Sequence, residues 1–208
     1  MMDRNLGATS ATAGDVGALG LLYQWGRKDP FLGSSSISSD VEARSTITWP
    51  SAVSSDSSTG TVDYVTSHPT TFVKSDSSPF DWHYSFRDNT LWQSEKTIYD
   101  PCPLGWRVPD GGDNGVWATA GFADTSYDSS NEGINFSISS PSTTWYPASG
   151  YRGSSDGALG YVGRSGRYWS VTPDSNRAYY LYFDYYGDVN PADNNGRAYG
   201  FSVRCLQE

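Results

Sequence analysis

The side chains available to build a core in this sequence are aromatic far more than aliphatic. It holds 15 Tyr, 8 Trp and 8 Phe among 208 residues, while hydrophobic residues of every kind make up only 37%. The core is therefore expected to be aromatic. The 22 Gly and 11 Pro, with abundant Ser, favour short elements joined by turns over long helices. The length suits one domain and is sufficient for a sizeable core.

Several classes are excluded at once. No run approaches the 18 apolar residues of a membrane span, and no heptad pattern is sustained. A net charge of −9 and a pI near 4.5 argue against binding nucleic acid through its phosphates. The aromatic content argues against disorder. The chain opens Met1-Met2-Asp3-Arg4-Asn5-Leu6, with neither a basic segment nor an apolar stretch of a signal peptide. Either the protein is not secreted or the sequence is a piece of a longer one. Its Ser, Thr, Gly, Asn and Tyr richness is a composition common in surface and extracellular proteins.

Cys102 and Cys205 are the only cysteines, so one bridge or two buried free thiols are the intramolecular options. A bridge would close a long loop and contribute about 4–5 kcal/mol in the chain-entropy account. Neither cysteine has a CxxC partner or a neighbouring His, which argues against zinc or thiol chemistry.

Along the chain, Leu19, Leu22 and Tyr23, with Trp25 just beyond, fit one face of a short helix. Residues 33–79 are rich in Ser, Thr and Asp but are interrupted by Ile47, Trp49, Val62, Tyr64 and Val65. They are expected to be an ordered-to-mobile insertion on one domain. The prolines on either side of Cys102 forbid a regular helix there, whereas residues 110–121 allow a short one carrying Val116 and Trp117. Strand-like runs follow at Asn135–Ser139, Trp145–Tyr151, Gly166–Val171, Ala178–Tyr185 and Phe201–Cys205. Alternation sets Tyr179, Leu181 and Phe183 on one face and Tyr180, Tyr182 and Asp184 on the other, one face buried and the other showing tyrosines to solvent. The fold class expected is α+β: short helices, a twisted antiparallel sheet and long irregular loops.

A series of motifs then resembles a known family. In order stand Asp3-Arg4-Asn5-Leu6-Gly7-Ala8, Tyr23-Gln24-Trp25-Gly26-Arg27, Asp100-Pro101-Cys102-Pro103, Gly105-Trp106-Arg107-Val108-Pro109, Gly166-Arg167-Tyr168-Trp169-Ser170 and Gly200-Phe201-Ser202-Val203-Arg204-Cys205. The series is similar to the Fibrobacter succinogenes major paralogous domain and related Bacteroidetes surface proteins. The resemblance implies a C-type-lectin-like fold over residues 1–208, shared with formylglycine-generating-type domains and with variable proteins of diversity-generating retroelements. Those variable proteins carry their diversified positions near the C-terminus, where mutated adenines turn Asn codons into Tyr, Asp and Ser. Here the corresponding region, about 160–200, holds Tyr161, Asp174, Ser175, Asn176, Tyr180, Tyr182, Asp184, Tyr185, Tyr186, Asp188, Asn190, Asn194, Asn195 and Tyr199, the candidate ligand-binding residues. Eight of the 15 Tyr fall beyond residue 160.

Independently of any family, Tyr combines a rigid surface with a polar tip, and Ser, Asn and Asp add adaptable hydrogen bonds, the composition of a binding surface. Tyr168 and Tyr179 are expected in the core; Tyr180, Tyr182, Tyr185 and Tyr186 are expected to form an exposed group. Trp106, Trp117, Trp145 and Trp169 read as core, and Arg107 and Arg204 as structural cations near the cysteines. His68 and His83 show no partner for general-base work. Oxygen ligands on the Gly-containing segments 110–114 and 188–195 leave calcium as the one conceivable cofactor, although neither segment matches an EF-hand and the sugar-binding lectin triplets are missing.

These readings describe a non-enzymatic receptor- or adhesin-like domain for a protein or glycan ligand on another cell or particle. The setting is extracellular, at a bacterial surface or on a phage particle. Two alternatives stand beside it: a structural or tip module of a surface or pilus protein without diversification, and a formylglycine-generating-type enzyme using Cys102 and Cys205.

Overall fold

The structure is a computed structural model. It describes residues 1–37, 52–85, 88–122, 125–139 and 142–208. It is mostly β-sheet with short helices. The strands are β1 (Leu22–Gln24), β2 (Ala52–Ser54), β3 (Phe72–Lys74), β4 (Trp106–Arg107), β5 (Tyr127–Asp128), β6 (Gly133–Ser139), β7 (Ser142–Pro147), β8 (Tyr151–Arg152), β9 (Leu159–Gly160), β10 (Ser165–Asp174), β11 (Arg177–Asp184), β12 (Val189–Asn195), β13 (Gly200–Ser202) and β14 (Leu206–Gln207). The α-helices are α1 (Val62–Ser67) and α2 (Val116–Ala120). No helix among the described residues is long and apolar enough to cross a membrane.

The main sheet runs β12-β11-β10-β13-β8-β9, with β1 also paired to β13. Its centre is the long antiparallel β10–β11 hairpin, which sets Arg167 opposite Tyr182 and Trp169 opposite Tyr180. Gly166 faces Phe183 across this ladder, and a Cβ there would lie 2.0 Å from the Phe183 ring. That contact accounts for the glycine of the Gly-Arg-Tyr-Trp-Ser motif. β12 is an edge strand, so Pro191 costs no ladder hydrogen bond on the open side, and a bulge between the Tyr180 and Tyr182 pairings absorbs the register shift.

Each face of the hairpin carries its own cluster. One gathers Tyr23, Trp25, Trp92, Val108, Trp169, Tyr180 and Phe201; the other gathers Trp117, Phe122, Ile134, Phe136, Tyr146, Tyr168, Leu181 and Phe183 under the β5-β6-β7 sheet. A third cluster, with Val65, Val73, Trp82 and Leu91, lies beside the first. The core is aromatic, as the composition demands, and four of its buried indole N–H groups are satisfied by backbone, whereas that of Trp117 points to the Tyr146 hydroxyl and that of Trp145 has no partner. Trp25 donates to the Ser170 carbonyl at 2.8 Å, Trp82 to Trp25 at 2.7 Å, Trp92 to Tyr99 at 2.9 Å and Trp169 to Tyr23 at 2.9 Å. A buried amide-like donor left unpaired costs about 1–3 kcal/mol, so these bonds fix how the segments stack. Trp117 and Trp145 are core as expected, and Trp106 is half-buried against the first cluster.

The helix expected around Leu19–Trp25 is not formed. A 3₁₀ turn at Val16–Ala18 ends before Gly20, whose φ of 70° breaks helical continuity, and Leu22–Gln24 enters the sheet against Ser202–Gly200. The apolar residues are buried as the pattern required, but on a strand that sheet pairing wins from the helix. Gln24 is buried too; its amide donates to the carbonyls of Val73 and Ala198, both at 2.7 Å. Of the Ser/Thr-rich segment 33–79, residues 38–51 lie outside the described ones. The remainder contributes the parallel β2–β3 pair and α1, N-capped by Thr61, and buries Phe72 and Val73 completely.

Cys102 and Cys205 form a disulfide with sequence separation 103, buried in the first cluster. Around it, the Asp100 carboxylate accepts from the amides of Cys102 and Val108 and from Lys96, and β4 pairs with β14. Met2 N–H donates to the Cys205 carbonyl and Leu6 N–H to that of Val203, which ties the two chain ends together. Arg107 pairs with Asp110 at 2.6 Å. Arg204, fully buried, donates to the Asn5 side-chain oxygen at 2.7 Å and lies 3.9 Å from the centre of the Tyr146 ring.

Candidate ligand-binding surface

The fourteen residues singled out in the C-terminal region separate into distinct places. The β10–β11 turn holds Asp174, Ser175 and Asn176, with Ser175 at φ 55°; Asn194 and Asn195 lie alongside, Asn194 accepting from Arg177 at 3.1 Å. At the opposite end, Asp184 closes β11, Tyr185, Tyr186 and Asp188 lie in the β11–β12 turn, and Asn190 stands at the start of β12. Seven strand steps of about 3.4 Å separate the two turns by about 24 Å, so they do not form one patch.

Between them, the expectation of an exposed tyrosine group holds for some members and is corrected for others. Tyr180 is core: it is 3% exposed, packs on Trp169 and Phe201, and donates its hydroxyl to Asp193 at 2.6 Å. Asp184 is also buried and serves the turn, accepting from the amides of Tyr186 and Asp188 and from the Tyr182 hydroxyl. The alternation read from the sequence is correct, but β11 lies between two clusters, so it sorts residues between two cores. Tyr168 is core as expected and Tyr179 is only partly buried. Tyr185 and Tyr186 are exposed, their ring centroids 3.9 Å apart, with Arg164 over Tyr185.

A second tyrosine group gathers where the first cluster's face runs out to solvent. Tyr161, 42% exposed with φ 58°, stacks on Tyr151 at 5.7 Å, and Tyr199 meets Tyr151 edge-on at 5.9 Å. These three rings line a cavity of about 230 Å³ with Ser155, Asp156 and Gly160. On the same strip, the Arg167 guanidinium lies 4.1 Å from the Tyr151 ring centre and 5.4 Å from that of Tyr182. Burial and the hydrogen bond to Asp184 push the Tyr182 phenol up, while Arg167 pulls it down; the net is upward. Tyr182 thus stays a neutral donor across the physiological range.

Tyr151 and Arg167 are the members that sequence reasoning missed. Arg167 stands in a quoted motif, and its alternation with Trp169 puts it on the Tyr182 face. Tyr151 arrives through the β8–β13 pairing, which no local pattern announces. A larger concavity of about 300 Å³, walled by Arg27, Val62, Val65, Trp82, Leu91 and Ile98, contains none of the fourteen residues.

Of the two histidines, His68, at the C-terminal cap of α1, stacks on Tyr64, and His83 lies 3.0 Å from the Ser85 hydroxyl. The oxidised, buried Cys102–Cys205 pair presents no accessible thiol. Among the described residues no three His, Cys, Asp or Glu side chains gather as a metal site; of the acidic segments, Asp110 is engaged by Arg107 and Ser94, and residues 189–195 form β12. Compared with protein-family models, curated proteins and solved structures, the chain matches none.

Proposed function

We propose that this chain is a non-enzymatic, C-type-lectin-like binding module of a surface-exposed or phage-borne protein, and that its working surface is the tyrosine strip of residues 151, 161, 182 and 199. One observation carries the reading: Tyr151, Tyr161 and Tyr199, partly open to solvent, line one cavity, and Tyr151 joins them to Tyr182 through the arginine that both rings flank. Large rigid rings with polar tips lose little side-chain entropy on binding, which makes such a cluster an economical contact surface. Tyr161 in the left-handed region adds weight, because strained non-glycine backbone concentrates at binding sites. A buried disulfide agrees with an oxidising, extracellular setting.

The test is a glycan-array and surface-protein screen with wild type and the double variant Tyr161→Ser, Tyr199→Ser. Loss of every wild-type hit in the variant, with a melting temperature within about 4 °C of wild type, supports the strip as the contact surface. Undiminished binding by the variant would falsify it. Diversification is tested separately at the coding locus, where the reading requires a reverse transcriptase gene and a template repeat differing from the segment after about residue 160 only at adenines.

A further inference from the structure

We infer that the tyrosine strip takes a carboxylate-bearing sugar residue of a glycan, with Arg167 holding the carboxylate; this rests on the strip being the contact surface. Arginines elsewhere in the fold spend their hydrogen bonds internally. Arg27 donates to the Thr71 carbonyl and the Gln24 amide, Arg152 to the carbonyls of Leu32 and Gly157, Arg197 to Arg177 and Asn89, and Arg204 to Asn5. Arg167 differs. Among the described residues it makes neither a hydrogen bond nor an ion pair, and its contacts are ring faces: Tyr151, Tyr182 and Phe201, the last at 5.5 Å. Only its Nε is sealed from water without a partner; the two terminal nitrogens are open.

Three rings therefore fix the plane of a cation whose outward edge carries unused donors. A planar fork of N–H groups matches the two oxygens of a carboxylate, and a guanidinium already immobilised by stacking loses less freedom on forming that pair. The surroundings select a sugar over an acidic peptide. Tyr151 belongs both to the ring set around Arg167 and to the cavity of about 230 Å³, where the Tyr161 and Tyr199 rings offer flat faces for a pyranose and Ser155 and Asp156 offer partners for hydroxyls. The cavity has no aliphatic pocket for a peptide anchor beyond Leu159 and Ala158. The net charge of −9 repels extended polyanions, so the acid is recognised as one residue in a local field.

The experiment titrates wild type, R167Q, R167K and Y161S with sodium glucuronate, with methyl glucoside and with oligoglutamate, read by ligand-observed NMR and intrinsic fluorescence. Each variant is first checked by circular dichroism. For wild type, glucuronate is expected to bind at least about tenfold more tightly than the glucoside, the ratio that a charge-assisted pair supplies. R167Q brings glucuronate down to the level of the glucoside, R167K restores part of the difference, and Y161S weakens both sugars. Equal binding of the two sugars by wild type, or an R167Q variant that keeps the preference, overturns the carboxylate assignment and leaves the tyrosine surface standing. If Y161S leaves both affinities unchanged, the surface reading itself fails. Binding of oligoglutamate with neither sugar bound overturns the glycan class.

Discussion

Replacing Tyr180 by Ala removes a ring that is 3% exposed and packed between Trp169 and Phe201, whose centroids lie 5.8 Å and 4.8 Å away. Truncation of a large buried ring costs about 3–5 kcal/mol, transfer and cavity terms together. For a chain of this length each kcal/mol moves the melting temperature by about 2–4 °C, so Y180A is expected to melt about 6–20 °C below wild type. Y180F keeps the ring and deletes only the hydroxyl that donates to Asp193 at 2.6 Å. Asp193 is half-buried on the edge strand, where water can replace the lost donor, so that change costs about 1 kcal/mol. Tyr186, 77% exposed, is expected to tolerate Ala within about 0.5 kcal/mol. Thermal melts by circular dichroism on the three variants, with urea titrations to show unchanged m-values, order them Y180A far below Y180F, and Y186A near wild type. A Y180A protein that melts within about 2 °C of wild type, or a Y186A protein that loses as much as Y180A, would refute the assignment of β11 to two buried faces.

Two further measurements probe the frame and its tyrosines. Closing a loop of 103 residues is worth about 4.7 kcal/mol in the chain-entropy account, so the double variant C102A, C205A is expected to melt roughly 9–19 °C lower than wild type under oxidising conditions; a cost below about 1 kcal/mol would count against the bridge as a constraint on the unfolded chain. Burial raises the phenols of Tyr23, Tyr146, Tyr168, Tyr180 and Tyr182 above the usual value of 10.0. The unfolded chain then loses these protons first, so the stability they lend is complete below about pH 10 and is lost as pH rises through the folded-state values. Absorbance at 295 nm is expected to show these five tyrosines ionising only together with loss of the far-ultraviolet signal; their ionisation with the fold intact contradicts this.

What the residues determine alone is local in origin. The ring-rich composition requires an aromatic core, Gly and Pro place the turns, and period-two alternation assigns Tyr180 and Tyr182 to the face opposite Leu181 and Phe183. The prolines around Cys102 exclude a helix there, and Val116 and Trp117 do lie on the short helix their surroundings allow. Each follows from backbone geometry or side-chain volume over a few residues. What alternation cannot say is what lies against each face. Only the packing of β5–β7 on one side and of β1 and the Trp92 segment on the other makes both faces of β11 interior, and that turns Tyr180 from a surface residue into core. The same holds at Leu22–Gln24, where pairing with a strand about 180 residues later in the chain outweighs a local helical pattern. The convergence of Tyr151, Tyr161, Tyr199 and Arg167 is likewise tertiary. These residues come from two strands, β8 and β10, and from the segments that follow β9 and precede β13, and their convergence is set by sheet order, a property of long-range pairing that local sequence periodicity does not encode.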